Sequence, residues 1–110
     1  MALYLTQGRY TSEAFRALVA KPEDRTEEVG KLIAAAGGKL HSFHYTLGEY
    51  DFMLIAEAPS EREPIVALLT AAATGTVTDL KTTTMITAAD MKQCCSKAGS
   101  IAAKFRPIGK

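Results

Sequence analysis

Apolar and polar residues alternate along this chain in two different patterns. Four segments have either the two-residue alternation or the β-branched and aromatic residues that favour strands: residues 2–10, 39–47, 50–57 and 76–87. The other intervals place apolar residues three and four positions apart, which is the spacing of one face of a helix. These stripes predict a short helix before Pro22, a longer one ending at Gly37-Gly38, and one helix after each of the last two strands.

Two of the predicted helices begin with residues that satisfy free backbone amides. Ser60-x-x-Glu63 and Thr87-x-x-Asp90 both have the form of a capping box. We expect the apolar stripe of each helix to be buried: Ile65, Leu68, Leu69 and Ala72 in the first, and Met91, Cys94, Cys95, Ala98, Ala102 and Phe105 in the second.

The order of the predicted elements is β-α-β-β-α-β with an added C-terminal helix. This is the order of the split βαβ unit found in ferredoxin-like α+β folds. It predicts an antiparallel sheet with two helices on one face. We expect residues 1–90 to form this domain, and residues 91–110 to form a helical extension that packs on the same domain or on a partner subunit.

The strand predicted over residues 50–57 is apolar on both of its sides. Phe52 and Leu54 point to one face of the sheet, and Met53 and Ile55 point to the other. Because the two helices cover only one face, the apolar residues of the opposite face need another cover. The C-terminal helix or a second copy of the chain would supply it, and we favour a homodimer or a higher homo-oligomer.

The composition limits the functions that are open to the chain. Its 110 residues are 47% hydrophobic and carry a net charge of +1, which suggests one globular domain without a nucleic-acid footprint. No apolar stretch approaches the roughly 20 residues that span a bilayer, and the first residues lack the features of a secretory signal. We therefore expect a cytoplasmic protein with neither a membrane nor a nucleic acid as its partner.

The two cysteines are adjacent, as Cys94-Cys95. Adjacent residues do not make a disulfide framework, and no Cys-x-x-Cys or His-x-x-x-His spacing offers a metal site. The pair suggests either thiol redox chemistry or, as we favour, packing on the apolar stripe of its helix. We expect neither a metal nor a cofactor.

A glycine turn leads into the central apolar strand through Gly48-Glu49-Tyr50-Asp51. Three neighbouring segments belong to the same pattern: Gly37-Gly38-Lys39-Leu40, Tyr45-x-Leu47-Gly48 and Ile55-x-Glu57-Ala58-Pro59. With these motifs the chain resembles GYD-domain proteins over about residues 2–90. The resemblance implies a ferredoxin-like fold of the dimeric α+β barrel group, which includes cofactor-free monooxygenases, isomerase-like enzymes and stress proteins. It implies no settled activity, because a shared fold does not carry a function with it.

Asp51 and His44 are the candidate catalytic residues. Asp51 interrupts an apolar strand, so its carboxylate must be paired or hydrogen-bonded, and it is a candidate general base. Alternatively, Asp51 accepts amide hydrogen bonds from the Gly48 turn and fixes the register of the hairpin, which is the role that we favour. The imidazole of His44 is a second candidate acid or base, and its alternative is a sheet histidine without chemistry.

Tyrosines near the strand ends are the candidate ligand-binding residues. Tyr10, Tyr45 and Tyr50 would line a pocket between the helices and the sheet or between subunits. Their alternative is to pack in a core or an interface without any ligand. Arg9, at the end of the first strand, would bind a carboxylate of a ligand, or it is an ordinary surface arginine.

Three functions fit these residues. The first is a module that binds a small organic ligand without chemistry. The second is a cofactor-independent, monooxygenase-like or isomerase-like enzyme with Asp51 or His44 as its base. The third is a purely structural oligomer.

Overall fold

The computed structural model describes all 110 residues. Strands and helices follow each other in this order: β1 (Ala2–Tyr10), α1 (Ser12–Ala20), α2 (Thr26–Ala35), β2 (Lys39–Tyr45), β3 (Phe52–Ala58), α3 (Arg62–Ala73), β4 (Val77–Met85) and α4 (Ala88–Ala102). Every predicted element is present, although β2 ends earlier and β3 begins later than predicted. The turn between them therefore spans residues 46–51.

The four strands form one antiparallel sheet in the order β2-β3-β1-β4. This is the arrangement of a ferredoxin-like α+β fold, as the order of elements predicts. Helices α1, α2 and α3 lie over one side of the sheet, which we call the inner face. The opposite side, which we call the outer face, has no helix over it.

Side chains form hydrogen bonds at both helix starts for which the sequence predicts a capping box, but only one of them is a cap. Thr87 Oγ1 accepts a hydrogen bond from the backbone N–H of Asp90 at 3.0 Å, which satisfies an amide that the first turn of α4 leaves free. The backbone N–H and the hydroxyl of Ser60 both donate to the Glu63 carboxylate, at 2.8 and 2.9 Å. The N-cap of α3 is Glu61, whose side chain makes no capping bond.

The core lies between the inner face and the helices α2 and α3. Alternate residues of the central strands point into it, because successive side chains of a strand lie on opposite faces. Its buried members come from α2, β3 and α3, with five half-buried apolar residues packed around them: Ile33, Leu54, Ala56 and Ala67, surrounded by Val29, Leu32, Ala36, Leu40 and Phe43.

Gly8 lies in close contact with two apolar side chains, Phe52 and Leu80. A Cβ atom at this position would lie 2.6 Å from Phe52 Cζ and 2.7 Å from Leu80 Cδ2. The absence of a side chain at Gly8 therefore lets the Phe52 ring lie over β1 and reach Tyr10, whose ring centroid is 5.2 Å away.

A β-bulge interrupts the alternation of side chains between the two faces of β2. The register with β3 shifts between Leu40 and Ser42, so that Leu40 stands opposite Ala56 and Ser42 opposite Ile55. Leu40 therefore points to the inner face and packs on the core, and it does not share the face of Ser42 as simple alternation predicts.

The predicted buried stripe of α3 is wrong at three of its four positions, and only Leu68 faces the sheet as predicted. Ile65, Leu69 and Ala72 are exposed. The residues that face the sheet are Pro64, Ala67, Leu68 and Ala71. The apolar residues of α3 are distributed around most of its circumference. The small side chains of the two alanines let the helix backbone approach the sheet closely.

The outer face is only half-buried and mixes apolar residues with polar ones, among them Gln7, Ser42 and Lys81. Its apolar residues are Leu3 and Leu5 of β1, Met53 and Ile55 of β3, and Met85 of β4. In the single chain, β3 is therefore buried on one side, at Phe52 and Leu54, and not on both sides as its composition suggests.

Helix α4 projects away from the domain. None of its residues is buried, and the predicted stripe from Met91 to Phe105 is exposed within the single chain. The radius of gyration is 18.3 Å, and the longest dimension is 63 Å. A compact domain of this length has a radius of gyration of about 13 Å. The excess reflects the extended helix.

Candidate functional site

The turn between β2 and β3 is fastened to the end of β1 through Asp51. The Asp51 carboxylate accepts a hydrogen bond from the backbone N–H of Tyr10 at 2.9 Å. The backbone N–H of Asp51 donates to the Gly8 carbonyl at 2.8 Å, and the Thr46 N–H donates to the Asp51 carbonyl, also at 2.8 Å. Gly48 has a φ of +135°, a conformation that side chains disfavour. Asp51 thus extends the pairing of the sheet into the turn.

Arg9 makes a second connection to the same turn. Its Nε donates to the Glu49 carbonyl at 2.7 Å, and its guanidinium carbon lies 6.0 Å from the centroid of the Tyr50 ring. The Thr46 hydroxyl donates to the Tyr50 carbonyl at 2.7 Å. The Gly48-to-Asp51 segment is therefore held by backbone hydrogen bonds and by one cation–π contact at the limit of its range.

A large cavity opens between the inner face and the helices α1, α2 and α3. Its volume is about 720 Å³, within the usual range of small-molecule sites. Most of its lining is apolar, and it includes Phe43, Phe52 and Leu54 from the sheet and Leu18 and Leu32 from the helices. Charged side chains from the α1–α2 connection also line it: Lys21, Glu23 and Arg25.

Tyr10 is the centre of an aromatic cluster at this cavity. Its ring centroid lies 5.5 Å from that of Phe15 in an edge-on contact and 6.0 Å from that of Tyr45. Phe43 and Phe52 continue the cluster, with their centroids 6.0 Å apart. The cluster lies beside the turn, because Asp51 holds the Tyr10 backbone in place.

The Tyr10 hydroxyl lies 3.3 Å from the Tyr45 hydroxyl. Burial raises the pKa of the Tyr10 phenol, and the contact with Tyr45 raises it further, whereas the charge of Arg25 opposes these effects. The Tyr10 phenol is therefore protonated at neutral pH, where it donates a hydrogen bond rather than acting as a base.

Comparison with known families agrees with the motif. The family model described as the GYD domain matches residues 4–95. The chain belongs to the GYD-domain family. The match runs from β1 to Cys95 in the first half of α4. No curated protein matches the chain at a significant level of similarity.

The predicted ligand-binding residues of the GYD domain fall into two places. Tyr10 lines the cavity, and Tyr45 contacts it through the Tyr10 ring and hydroxyl. Arg9 and Tyr50 lie instead at the β2–β3 turn, where they contact each other and the backbone. The structure thus places one tyrosine at the cavity and a second beside it.

The two candidate bases lie outside the cavity and apart from each other. The Asp51 carboxylate accepts the backbone N–H of Tyr10 on β1, and not an amide of the Gly48 turn as the structural alternative predicts. His44 is exposed and stands opposite Met53, so it belongs to the outer face. Neither residue lines the cavity.

Several residues of the cavity are absent from the candidates that the sequence suggests. Phe43 and Phe52 follow from strand parity alone, because they share the inner face with Tyr10. Arg25 lies in the α1–α2 connection and forms an ion pair with Glu23 at 2.8 Å. No local motif marks Arg25, since only the packing of the connection over the sheet brings it to the cavity.

Other chemistry-bearing residues form no cluster. No group of three or more His, Cys, Asp or Glu side chains is placed to hold a metal ion. Cys94 and Cys95 are both free and exposed in α4, away from the cavity. None of the helices is both long enough and apolar enough to cross a membrane.

Proposed function

We propose that this GYD domain binds a small aromatic molecule that carries a hydrogen-bond-accepting oxygen. The site is the cavity between the inner face and the helices α1 to α3. The observation that carries the proposal is the 720 Å³ apolar cavity with Tyr10 among its lining residues, together with the Tyr10 hydroxyl 3.3 Å from that of Tyr45. A pocket of this size and character, with few polar groups, is the usual form of a small-molecule site.

The lining favours an aromatic ligand. Tyr10, Phe43 and Phe52 present rings whose centroids lie between 5 and 6 Å from one another along the cluster. Rings at this spacing prefer edge-on or offset contacts, and each such pair adds about 0.5–1.5 kcal/mol beyond the burial of apolar area. An aromatic ligand extends this arrangement into the cavity.

The hydroxyl of Tyr10 favours an oxygen acceptor on that ligand. The phenol is protonated at neutral pH because burial raises its pKa. Its present partner is the Tyr45 hydroxyl at 3.3 Å, a long contact for two oxygen atoms. A ligand oxygen competes for the Tyr10 proton with little loss of existing bonding.

Binding without chemistry is the function that these positions support best. The Asp51 carboxylate is committed to the Tyr10 backbone, and His44 lies on the outer face. A general base must come within about 3 Å of the proton that it removes, directly or through one water. A ligand in the cavity meets Tyr10 as a donor and meets neither of these candidate bases.

We further propose that the protein acts as a homodimer formed through its outer faces. The support is the apolar patch on that face, where Leu5, Ile55 and Met85 are half-buried in the single chain. An antiparallel sheet with helices on one side buries its other apolar side by stacking on a second sheet. A homodimer leaves both cavities open on the outside of the assembly.

A fluorescence titration with naphthol and with naphthalene tests the binding function. Naphthol carries an acceptor oxygen, and naphthalene has the same rings without it. We expect both to bind, with naphthol tighter by about 0.5–1.5 kcal/mol, which is the typical net value of one hydrogen bond. The variant Tyr10→Phe removes the difference between the two ligands.

A pair of variants on α3 locates the site. Ala71→Leu places a larger side chain in the cavity, whereas Ala72→Leu adds the same atoms to the exposed side of the helix. Ala71→Leu weakens the binding of both ligands, and Ala72→Leu leaves it unchanged. Equal binding by the two variants would place the ligand elsewhere and contradict the proposal.

A further inference from the structure

The α1–α2 connection places one charged side chain partly inside the domain. Lys21, Glu23 and Asp24 are exposed, whereas Arg25 is half-buried and keeps 37% of its side chain in contact with solvent. Arg25 also lines the cavity. A long basic side chain buries its aliphatic stem against apolar groups and keeps its charged end at their border. The Arg25 guanidinium therefore lies at the border of the cavity.

The backbone around Arg25 is fixed on both sides. The Arg25 carbonyl accepts the Val29 N–H at 2.9 Å, which is the first hydrogen bond of α2. The Asp24 carboxylate accepts the Thr26 N–H, also at 2.9 Å. A residue that is held in place before a ligand arrives loses less conformational freedom when the ligand binds.

Most of the hydrogen-bonding capacity of Arg25 is unused. Its Nη1 donates to the Glu23 carboxylate at 2.8 Å, and the guanidinium has no other partner in the protein. A guanidinium carries several N–H groups and accepts no hydrogen bond. Glu23 keeps 48% of its side chain exposed, and an ion pair this exposed is weak. Arg25 thus has N–H groups left for an acceptor in the cavity.

Arg25 also acts on the Tyr10 phenol. Burial and the contact with Tyr45 raise the pKa of that phenol, and the charge of Arg25 lowers it. The effect of Arg25 exceeds the opposite effect of Asp51, whose carboxylate accepts the Tyr10 N–H. Since the interaction between charged groups weakens with distance, the guanidinium lies at the same end of the cavity as the Tyr10 hydroxyl.

The other acids of the cavity lie away from Arg25 or have a basic partner of their own. Glu57 and Glu63 lie beside the two glycines that follow α2, whereas Arg25 precedes its start. The 10 residues of α2 separate these two ends by about 15 Å. Glu28 is nearer, and its carboxylate lies 3.5 Å from Lys31 Nζ. Among the acids that line the cavity, only Glu23 therefore contacts Arg25.

We propose that Arg25 determines the specificity of the cavity and that the ligand is an aromatic carboxylate. One carboxylate oxygen accepts the Tyr10 hydroxyl proton, the other accepts from the Arg25 guanidinium, and the rings lie against Phe43 and Phe52. A carboxylate suits these groups because it only accepts hydrogen bonds and matches the planar guanidinium in shape and charge. Arg9, which the sequence suggests for this contact, is bonded to the β2–β3 turn instead. The inference rests on the small-molecule function proposed above and adds the chemical class of the ligand's polar end.

A comparison of naphthoate with naphthamide tests this class of ligand. The two molecules have the same rings and nearly the same shape, but only naphthoate carries a negative charge and an end without N–H donors. In a fluorescence titration of the full-length protein at neutral pH, we expect naphthoate to bind about tenfold tighter, a factor that corresponds to 1.4 kcal/mol. We also expect added salt to weaken the binding of naphthoate more than that of naphthamide.

Three charge variants assign the effect to Arg25. Arg25→Gln removes the charge at the cavity, and Arg16→Gln removes the same charge from an exposed position of α1 outside the cavity lining. We expect Arg25→Gln to weaken the binding of naphthoate about tenfold and that of naphthamide less than about twofold, whereas Arg16→Gln changes neither. Glu23→Gln removes the competing carboxylate and keeps Arg25, so we expect naphthoate to bind about threefold tighter. Circular dichroism checks that each variant keeps its helical signal.

The outcomes separate this inference from the proposed function. If naphthol binds but naphthoate binds no tighter than naphthamide, the carboxylate class is wrong and the small-molecule function stands. Equal losses of naphthoate binding in Arg25→Gln and Arg16→Gln would trace the effect to the overall charge of the protein and overturn the role of Arg25. If Arg25→Gln does not fold, Glu23→Gln decides, because naphthoate binding that stays unchanged or weakens in that variant overturns the proposal. If none of these ligands binds, both the inference and the proposed function are overturned.

Discussion

Asp51 shows how one carboxylate in an apolar strand serves the fold. Its side chain accepts the Tyr10 N–H, and its backbone pairs with Gly8 and Thr46. These contacts bring the ends of β1 and of the β2–β3 hairpin together at the aromatic cluster. The tendency of Asp to bond nearby backbone predicts a partner in the Gly48 turn, whereas the partner lies on β1.

The variant Asp51→Ala tests this role. It leaves the Tyr10 N–H without its acceptor, so we expect the free energy of unfolding to fall by about 1–3 kcal/mol. Urea unfolding followed by circular dichroism measures the change. Glu49→Ala is the control, because the contact of Glu49 with Arg9 uses only its backbone carbonyl. A loss of stability no larger in Asp51→Ala than in the control would contradict the role.

Tyr10 gives the fold a dependence on alkaline pH. Its folded-state pKa is raised above the ordinary value of 10.0, mainly by burial. The unfolded chain therefore loses this proton at a lower pH than the folded chain does. The stability contributed by the protonated phenol is complete below pH 10 and is lost as the pH rises above it.

Absorbance and stability measurements with Tyr10→Phe isolate this effect from the other tyrosines and lysines. We expect the absorbance titration at alkaline pH to lose its latest-titrating tyrosine in the variant. The urea midpoint of the unmodified chain falls more steeply above pH 10 than that of Tyr10→Phe. Parallel curves for the two proteins would show that the Tyr10 phenol is not held in its protonated form.

At the scale of elements, the sequence predicts the strands and helices better than their faces. The order of elements follows from periodicity and from the cap at Thr87, which forms as predicted, whereas Ser60 contacts Glu63 without capping α3. Simple alternation puts Leu40 on the face of Ser42, but a β-bulge changes the alternation of β2, and a bulge leaves no clear mark in a single sequence. The alternation of side chains predicts the face of each strand residue only as far as the first bulge.

Helix α3 shows a second limit of pattern reasoning. Ile65, Val66, Leu68 and Leu69 make the helix apolar on several sides, so periodicity does not choose one buried face. The sheet selects the side with Ala67, and the larger residues stay exposed. The size of a side chain, which a binary apolar pattern ignores, decides the orientation.

The candidate site was predictable from the sequence for its strand residues and not for the residues of the α1–α2 connection. Tyr10 and Tyr45 are recognisable from the sequence as tyrosines at strand ends, and the structure brings their hydroxyls together. Arg25 and Glu23 reach the cavity through the path of the α1–α2 connection. A connection has no periodicity, so its position over the sheet is a tertiary property.

At the scale of the whole molecule, the chain has two apolar surfaces that it does not cover. One is the outer face around Ile55, and the other is the stripe of α4. Only ten of the 110 residues are buried in the single chain. We therefore expect a homodimer, in which both surfaces are completed by a second copy.

Light scattering coupled to size-exclusion chromatography tests this claim most directly. At micromolar concentrations we expect a mass of twice the 11.8 kDa of one chain. The variant Ile55→Lys places a charge at the centre of the outer face and reduces the mass to that of one chain, since an unpaired buried charge is costly. Ile65→Lys, on the exposed side of α3, keeps the dimer. A mass of 11.8 kDa for the unmodified protein, or a dimer of Ile55→Lys as stable as that of Ile65→Lys, would contradict the account.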